Sequence, residues 1–388
     1  MRKLLLGILA TGLLAGAPPL RGQQPCPRLP VVINTPEDKL MLAVNGAENP
    51  QEQAAALTKF AEEHPDSKFI PCVNEYLAMT YLKTQEYDKA IEAGEKDIAA
   101  DYLDLNLLTT LLKVYVASGK VSDGAFDLIG KAPQQIREEI IVSSSATATA
   151  EETEKARQGA IEQTKEIRAY VEYAFFQLLP RVPEAAKRLQ DIDTFLKAYP
   201  DTPNTNQVNV QYFLAYQMAN QPDKMFEFGE KAVASDANGV ATLNLVADGY
   251  ATAQAHLEQA DQYARKALGL ATDMKKPEGM SDDQFKISRD TQLGLAHANL
   301  GYIAFLKGSR THRVAPAIQE FKAAADLLAG NPALQGRTLF YLGYAYEVQS
   351  PPNHKLAAEA LTKAVRLQSP WQPQAQDLLD KVKKAGGG

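Results

Sequence analysis

Residues 60–101 read FAEEHPDSKFIPCVNEYLAMTYLKTQEYDKAIEAGEKDIAAD, and residues 195–236 read FLKAYPDTPNTNQVNVQYFLAYQMANQPDKMFEFGEKAVASD. The two align without a gap at an offset of 135 positions. Phe60 meets Phe195, Pro65-Asp66 meets Pro200-Asp201, Val73-Asn74 meets Val208-Asn209, and Tyr81 meets Tyr216. Asp88-Lys89, Glu92, Gly94-Glu95-Lys96, Ala99 and Asp101 meet Asp223-Lys224, Glu227, Gly229-Glu230-Lys231, Ala234 and Asp236. The offset persists at Tyr115/Tyr250, Ala125/Ala260 and Lys131-Ala132/Lys266-Ala267. A polar–apolar rhythm alone does not hold one register over so many residue types. The chain therefore contains an internal repeat, and a repeat decides the fold class before any other feature.

Inside the first copy, Val73–Lys83 places Tyr76, Leu77, Thr80 and Tyr81 at helical spacing, and Asp88–Ala100 does the same with Ala90, Ile91, Gly94 and Ile98. Gln85–Asp88 is the turn between them. Two helices of this length joined by so few residues lie antiparallel. Glycine inside a helix costs about 1 kcal/mol against alanine, so Gly94 and Gly229 are expected where two backbones nearly touch. Upstream, Thr35-Pro36-Glu37-Asp38 and Asn49-Pro50-Gln51-Glu52 are helix starts: a capping side chain, a proline that needs no N–H partner, then acids at the positive end of the dipole.

These hairpins resemble the tetratricopeptide repeat. Leu77-Ala78 with Tyr81 and then Ala90 fits the family spacing, although Gly94 and Asp97 depart from it. Leu300-Gly301 is followed by Ala317, Phe321, Ala324 and Pro332. Leu342-Gly343 with Tyr346 is followed by Ala357, Leu361, Ala364 and Pro370, and Ala260, Ala264 and Ala267 fit a further second helix. The resemblance implies an all-α fold, a right-handed superhelical solenoid of about seven antiparallel helix pairs.

The remaining pairs follow the same reading: Leu105–Ser118 with Asp123–Lys131, Glu154–Leu179 with Pro183–Ala198, Val208–Ala219 with Lys224–Ser235, and Val240–Gln254 with Leu257–Leu270. Ser281-Asp282-Asp283 caps a long helix to Lys307, and Arg337–Gln349 pairs with Lys355–Leu367. No stretch alternates as a strand. The expected organisation is a leader at 1–22, an arm at 23–36, and degenerate repeats over 37–270 with a mobile low-complexity segment near 141–153. Clearer repeats follow over 281–370, then a capping helix and tail at 371–388.

Met1-Arg2-Lys3 followed by the apolar run Leu4–Ala17 has the form of a secretory leader, cleaved after Ala17 or Gly22, or else retained as an anchor. The run is short for a bilayer span, which takes about 20 residues. An exported protein, periplasmic or extracellular, is expected, with membrane association left open except through a spanning helix. Removing Arg2, Lys3 and Arg21 takes the formal charge from −6 to −9. That acidic balance argues against general nucleic-acid binding, which needs basic patches. The two cysteines, Cys26 and Cys72, form either one disulfide or two unpaired thiols.

No catalytic, metal or cofactor signature stands out. His64, His256, His297, His312 and His354 lack metal-ligand spacing, and no phosphate-cradling glycine loop or nucleophile elbow occurs. Nearly all of the carboxylates are read as solvated on exposed helix faces with Lys or Arg nearby. The expected function is a non-catalytic scaffold that binds a protein or peptide. The family's inward positions map onto Tyr302, Phe305, Arg337, Phe340, Tyr344 and Glu347, the aromatics and arginine that dominate binding hot spots. Packing between adjacent units is the other reading for Phe305 and Phe340. The clamp that some family members use for a C-terminal carboxylate is not matched, because Ala298, Tyr302, Phe340 and Tyr344 hold its positions. Lys307, Arg310, Arg313 and Lys355 lie on two enlarged turns expected to share a basic rim. An envelope receptor for a small molecule or glycan, with a pocket around Tyr302 and Tyr344, is the alternative.

Overall fold

A computed structural model describes residues 31–145 and 149–386. The leader, Cys26, Ala146-Thr147-Ala148 and Gly387-Gly388 lie outside the described residues. Seventeen α-helices and no strand occur among those described, and no helix there is long and apolar enough to cross a membrane. Two compact units divide the chain between Pro203 and Asn204.

The first unit holds α1 (Pro36–Gly46), α2 (Pro50–Glu63), α3 (Ile70–Lys83), α4 (Tyr87–Ala99), α5 (Leu105–Ser118), α6 (Asp123–Ser145), α7 (Ala150–Leu178) and α8 (Ala185–Ala198). Thr35 and Asn49 cap α1 and α2, their side chains accepting from the backbone N–H of Asp38 and Glu52. These caps offset orphan donors that a helix start leaves open. Each of α1 to α6 packs on the next. The long α7 lies along α6 and not, as the sequence pairing had it, mainly against α8. It reaches α8 through stacked rings, Phe175 on Phe195 at 4.0 Å and 8°.

Helix α6 runs beyond its expected end at Lys131 and contains Pro133. Proline has no N–H for the carbonyl four residues back. That carbonyl belongs to Ile129, and the buried hydroxyl of Tyr199 donates to it at 3.0 Å. A residue beyond α8 thus supplies the hydrogen bond that Pro133 removes.

The second unit holds α9 (Thr205–Met218), α10 (Pro222–Ser235), α11 (Val240–Thr252), α12 (Leu257–Thr272), α13 (Asp282–Gly308), α14 (Ala315–Leu327), α15 (Pro332–Val348), α16 (His354–Arg366) and α17 (Gln372–Ala385). Each packs on the next, and α11, α13, α15 and α17 also meet in succession. This is the neighbour pattern of a helical-repeat solenoid. Ala260, Ala264, Ala317, Ala357, Ala360, Ala364 and Ala375 are buried along its seams, against Phe213, Tyr250, Ile303, Phe321 and Leu361.

The internal repeat is visible in backbone detail. His64 and Tyr199, 135 positions apart, end α2 and α8 in the same conformation, at φ −134°, ψ 56° and φ −129°, ψ 62°. Gln85 and Asn220 both turn left-handed, at φ 61° and 54°, as do Gly119 and Gln254. Behind these turns the N–H of Glu86, Gln221 and Ala255 donates to the carbonyl of Tyr81, Tyr216 and Tyr250. That is the six-to-one bond of a Schellman helix end. Arg313 and Gly308 repeat it around His312, at φ 59°.

The expectation for Gly94 and Gly229 is corrected in one respect. A Cβ on Gly94 would meet the side chain of Leu111 at 2.5 Å, and one on Gly229 the hydroxyl of Tyr250 at 2.9 Å. These glycines make room for side chains from the next helix, not for a backbone. The close backbone approach falls at Gly308, where a Cβ would lie 2.2 Å from the Arg313 carbonyl oxygen.

Replacing Tyr199 by Phe leaves the ring stack in place and strips the Ile129 carbonyl of its donor. A buried acceptor left open costs about 1–3 kcal/mol. Chemical denaturation is expected to show that loss for Tyr199→Phe, and an unchanged midpoint would mean Pro133 is tolerated without the hydroxyl.

Candidate partner-binding face

Helices α13 and α15 carry the six nominated residues. Ser281 starts α13 with a capping box, its hydroxyl accepting from the Gln284 N–H while the Gln284 side chain accepts from the Ser281 N–H. Asn331 starts α15 by accepting from Leu334. Spacings of three and four then place Tyr302 and Phe305 on one stripe of α13, and Arg337, Phe340, Tyr341 and Tyr344 on one stripe of α15.

The stripes close on each other. Tyr302 lies 4.7 Å from Tyr341, and Phe305 lies 5.8 Å from Tyr341 and 5.1 Å from Tyr344, between ring centroids. Trp371, the chain's one tryptophan, adds contacts to Phe340 at 5.3 Å and Tyr341 at 5.5 Å. Tilted ring pairs at such distances each contribute about 0.5–1.5 kcal/mol beyond area burial. Tyr302 and Phe305 are buried in this cluster. Phe340, Arg337 and Glu347 are half-buried, and Tyr344 is 39% exposed. Of the six, Tyr344 is the one that stands out into solvent.

Arg337 is tied to the fold. Its Nη1 donates to Asp248 Oδ1 at 2.6 Å, and its guanidinium lies over the Tyr302 ring at 5.2 Å. Asp248 comes from α11, so this ion pair joins helices across α13. Glu347 Oε2 sits 2.8 Å from His354 Nδ1 at the start of α16. The cavity bounded by Tyr302, Arg337, Thr338 and Tyr341 has a volume of about 20 Å³, room for a single water molecule.

The first enlarged turn reaches the end of α15, just before the second: His312 Nδ1 lies 2.7 Å from the Val348 carbonyl. Lys307, Arg310, Arg313 and Lys355 are all exposed there. Lys307 lies 3.5 Å from Glu258, itself exposed. Tyr341 and Trp371 belong to the cluster but were not singled out from the sequence. Tyr341 sits one position beyond Phe340, and Trp371 stands alone between two repeats.

The reading of the carboxylates as solvated is also corrected. Glu75, Asp97, Glu172 and Asp191 are buried. Two of them have cations: Glu172 accepts from Arg168 at 3.0 Å and Asp191 from Lys187 at 2.5 Å. Glu75, 0% exposed, and Asp97, 1% exposed, instead gather near Asp104 where α3, α4 and α5 meet. Asn74 donates to Asp97 at 2.8 Å, and the Tyr102 hydroxyl lies 3.0 Å from Asp104 and 3.4 Å from Glu75. Burial, and then the Asp104 charge, push Glu75 up to about 8. Burial, with Asp104 adding to it against the Asn74 hydrogen bond, pushes Asp97 up to about 7. Both are acids that the fold keeps protonated into the neutral range. Among the described residues no group of three or more His, Cys, Asp or Glu is placed to hold a metal ion.

No family model and no curated protein matches the chain. Among solved structures, a chain of the "Crystal structure of APC/C hetero-tetramer Cut9-Hcn1" aligns over 91% of this chain and 90% of that one, at 14% identity and a TM-score of 0.27.

Two outcomes are expected. Arg337→Ala leaves Asp248 without its cation in a half-buried pair, a change that costs about 1–3 kcal/mol; thermal unfolding should show it, whereas a midpoint within a degree of wild type would make the pair dispensable. The second concerns pH. Unfolded, Glu75 and Asp97 titrate near 4.5 and 3.8; folded, they hold protons to about 8 and about 7. The native state therefore binds more protons in that window. The stabilising contribution is full below about pH 4 and lost as pH rises to about 8. Glu75→Gln removes its share, so its stability relative to wild type should rise across that window; a difference that stays constant with pH would contradict the assignment.

Proposed function

We propose that this chain is a non-catalytic, exported scaffold of the tetratricopeptide type that holds a protein or peptide partner in the cell envelope. The observation that carries the reading is Tyr344, exposed at the edge of a rigid ring cluster and flanked by half-buried Phe340 and Glu347. An aromatic held by packed neighbours loses little freedom on binding, which is the physics of an anchor residue. The exposed cations of the nearby turns, Lys307, Arg310, Arg313 and Lys355, favour a partner that carries acids beside its apolar anchor. Export rests on the leader-like start, Met1-Arg2-Lys3 before Leu4–Ala17.

The test is affinity capture from the cell's own envelope fraction with the chain starting at Gln23, run beside Tyr344→Ala. The variant should keep its thermal midpoint, because exposed substitutions usually stay within about 0.5 kcal/mol. It should lose at least tenfold in retained partner, as a hot-spot residue worth about 2 kcal/mol does. Equal capture by both chains moves the site off this face. Fractionation and N-terminal sequencing of the protein from intact cells read the export part separately: a start at Pro18 or Gln23 is expected, and recovery in the cytoplasmic fraction with a start at Met1 would remove it.

A further inference from the structure

In the first unit α5 packs on α7. Leu107, Leu108, Leu111, Leu112 and Val114 of α5 are buried, while Asn106, Lys113 and Ala117 form its open side. Lys113 is half-buried there, its Nζ 5.9 Å from the centre of the Tyr170 ring on α7. Tyr170 lies 5.8 Å from Tyr173, ring to ring, and Tyr173 is 44% exposed. Among the described residues no carboxylate pairs with Lys113 or hydrogen-bonds to it, and burial holds its ammonium below the usual lysine range. A cation drawn out of water without an anion to meet it costs free energy. A fold that keeps one departs from what stability alone selects, which is the mark of a functional position.

The internal repeat shows what is missing. At the offset of 135 positions Lys113 corresponds to Asp248. In the second unit the charge at this position is answered from within the chain: Arg337 donates to Asp248 at 2.6 Å, and the same guanidinium lies over the Tyr302 ring at 5.2 Å. A cation set over a tyrosine thus occurs in both units. The second unit gives that cation a carboxylate, and the first does not.

We propose that the α5–α7 face of the first unit docks a protein segment that carries a glutamate or aspartate, its side-chain carboxylate pairing with Lys113 while the apolar groups beside it cover Tyr170 and Tyr173. The incoming carboxylate does for Lys113 what Asp248 does for Arg337, through a charge-assisted hydrogen bond. The rings give the segment apolar area next to that bond, and the exposed Tyr173 is the part of it that water now covers. A segment without an acid would strip the remaining water from Lys113 and leave it unpaired, so the same lysine that attracts an acidic segment rejects a neutral one. The site lies in the other unit from the α13–α15 face and does not depend on the scaffold reading.

Isothermal titration calorimetry of the full chain at neutral pH tests this with two capped peptides, acetyl-Ala-Phe-Glu-Phe-Ala-amide and its counterpart with Gln in place of Glu. Neither has a charged end, so the side-chain carboxylate is the difference between them. Saturable binding of the glutamate peptide is expected, about tenfold tighter than that of the glutamine peptide. Lys113→Met keeps the apolar stem and removes the charge. It should erase the difference between the peptides and raise the thermal midpoint, whereas Lys113→Arg should keep the difference. Tyr173→Ala, at an exposed position, should weaken the glutamate peptide severalfold and leave the midpoint in place. No saturable binding of the glutamate peptide, equal binding of both peptides by the wild-type chain, or a lowered midpoint for Lys113→Met would each overturn the proposal. So would a preference that survives Lys113→Met, which is the result that binding at the α13–α15 face would give.

Discussion

Everything in this molecule depends on how closely its paired helices approach. Alanine is the residue that allows it. Ala90, Ala125, Ala132, Ala260, Ala264, Ala267, Ala317, Ala324, Ala357 and Ala364 are all fully buried. A larger side chain at any of these seams would push two helices apart or force strained rotamers. Close approach then sets where each first helix presents its larger residues, and so which rings meet. The cluster on α13 and α15 is a product of that spacing. So is the burial of Glu75 and Asp97, which brings both acids close to Asp104.

The two copies of the internal repeat solve this packing differently. The first places Ala78 and Val114 where the second places Phe213 and Gly249, all buried. A Cβ on Gly249 would lie 2.3 Å from the tip of the Phe213 ring. A small–medium pair in one copy thus answers a large–absent pair in the other. Total volume is kept while shape is exchanged, which cores tolerate well. Backbone features survive this drift better than side chains do: the helix ends at His64 and Tyr199 match within a few degrees while the residues differ.

Much of the fold was legible because its signals are local. Caps at Thr35, Asn49 and Ser281 act over four residues, and the repeat fixes hairpin after hairpin by register. The candidate face was legible only in part. Helical period says which side of α13 Tyr302 and Phe305 occupy, but not how deeply α15 covers them. Tyr341 and Trp371 were missed because their membership is decided by contacts between helices, not along one. Glu75 and Asp97 carry no sequence mark of burial; their neighbours Asp104 and Tyr102 approach only once α4 and α5 have folded back. The partnership of α7 with α6 is hidden for the same reason.

The hydrogen bond that completes α6 has a consequence for synthesis. The carbonyl of Ile129 is answered by a hydroxyl 70 residues downstream. A ribosome releases α6 and α7 well before it reaches Tyr199. Over that interval the turn at Pro133 has an acceptor with no protein donor, and water must serve it. The first unit is therefore finished from its far end: α6 has its full set of hydrogen bonds only once the residue after α8 is in place.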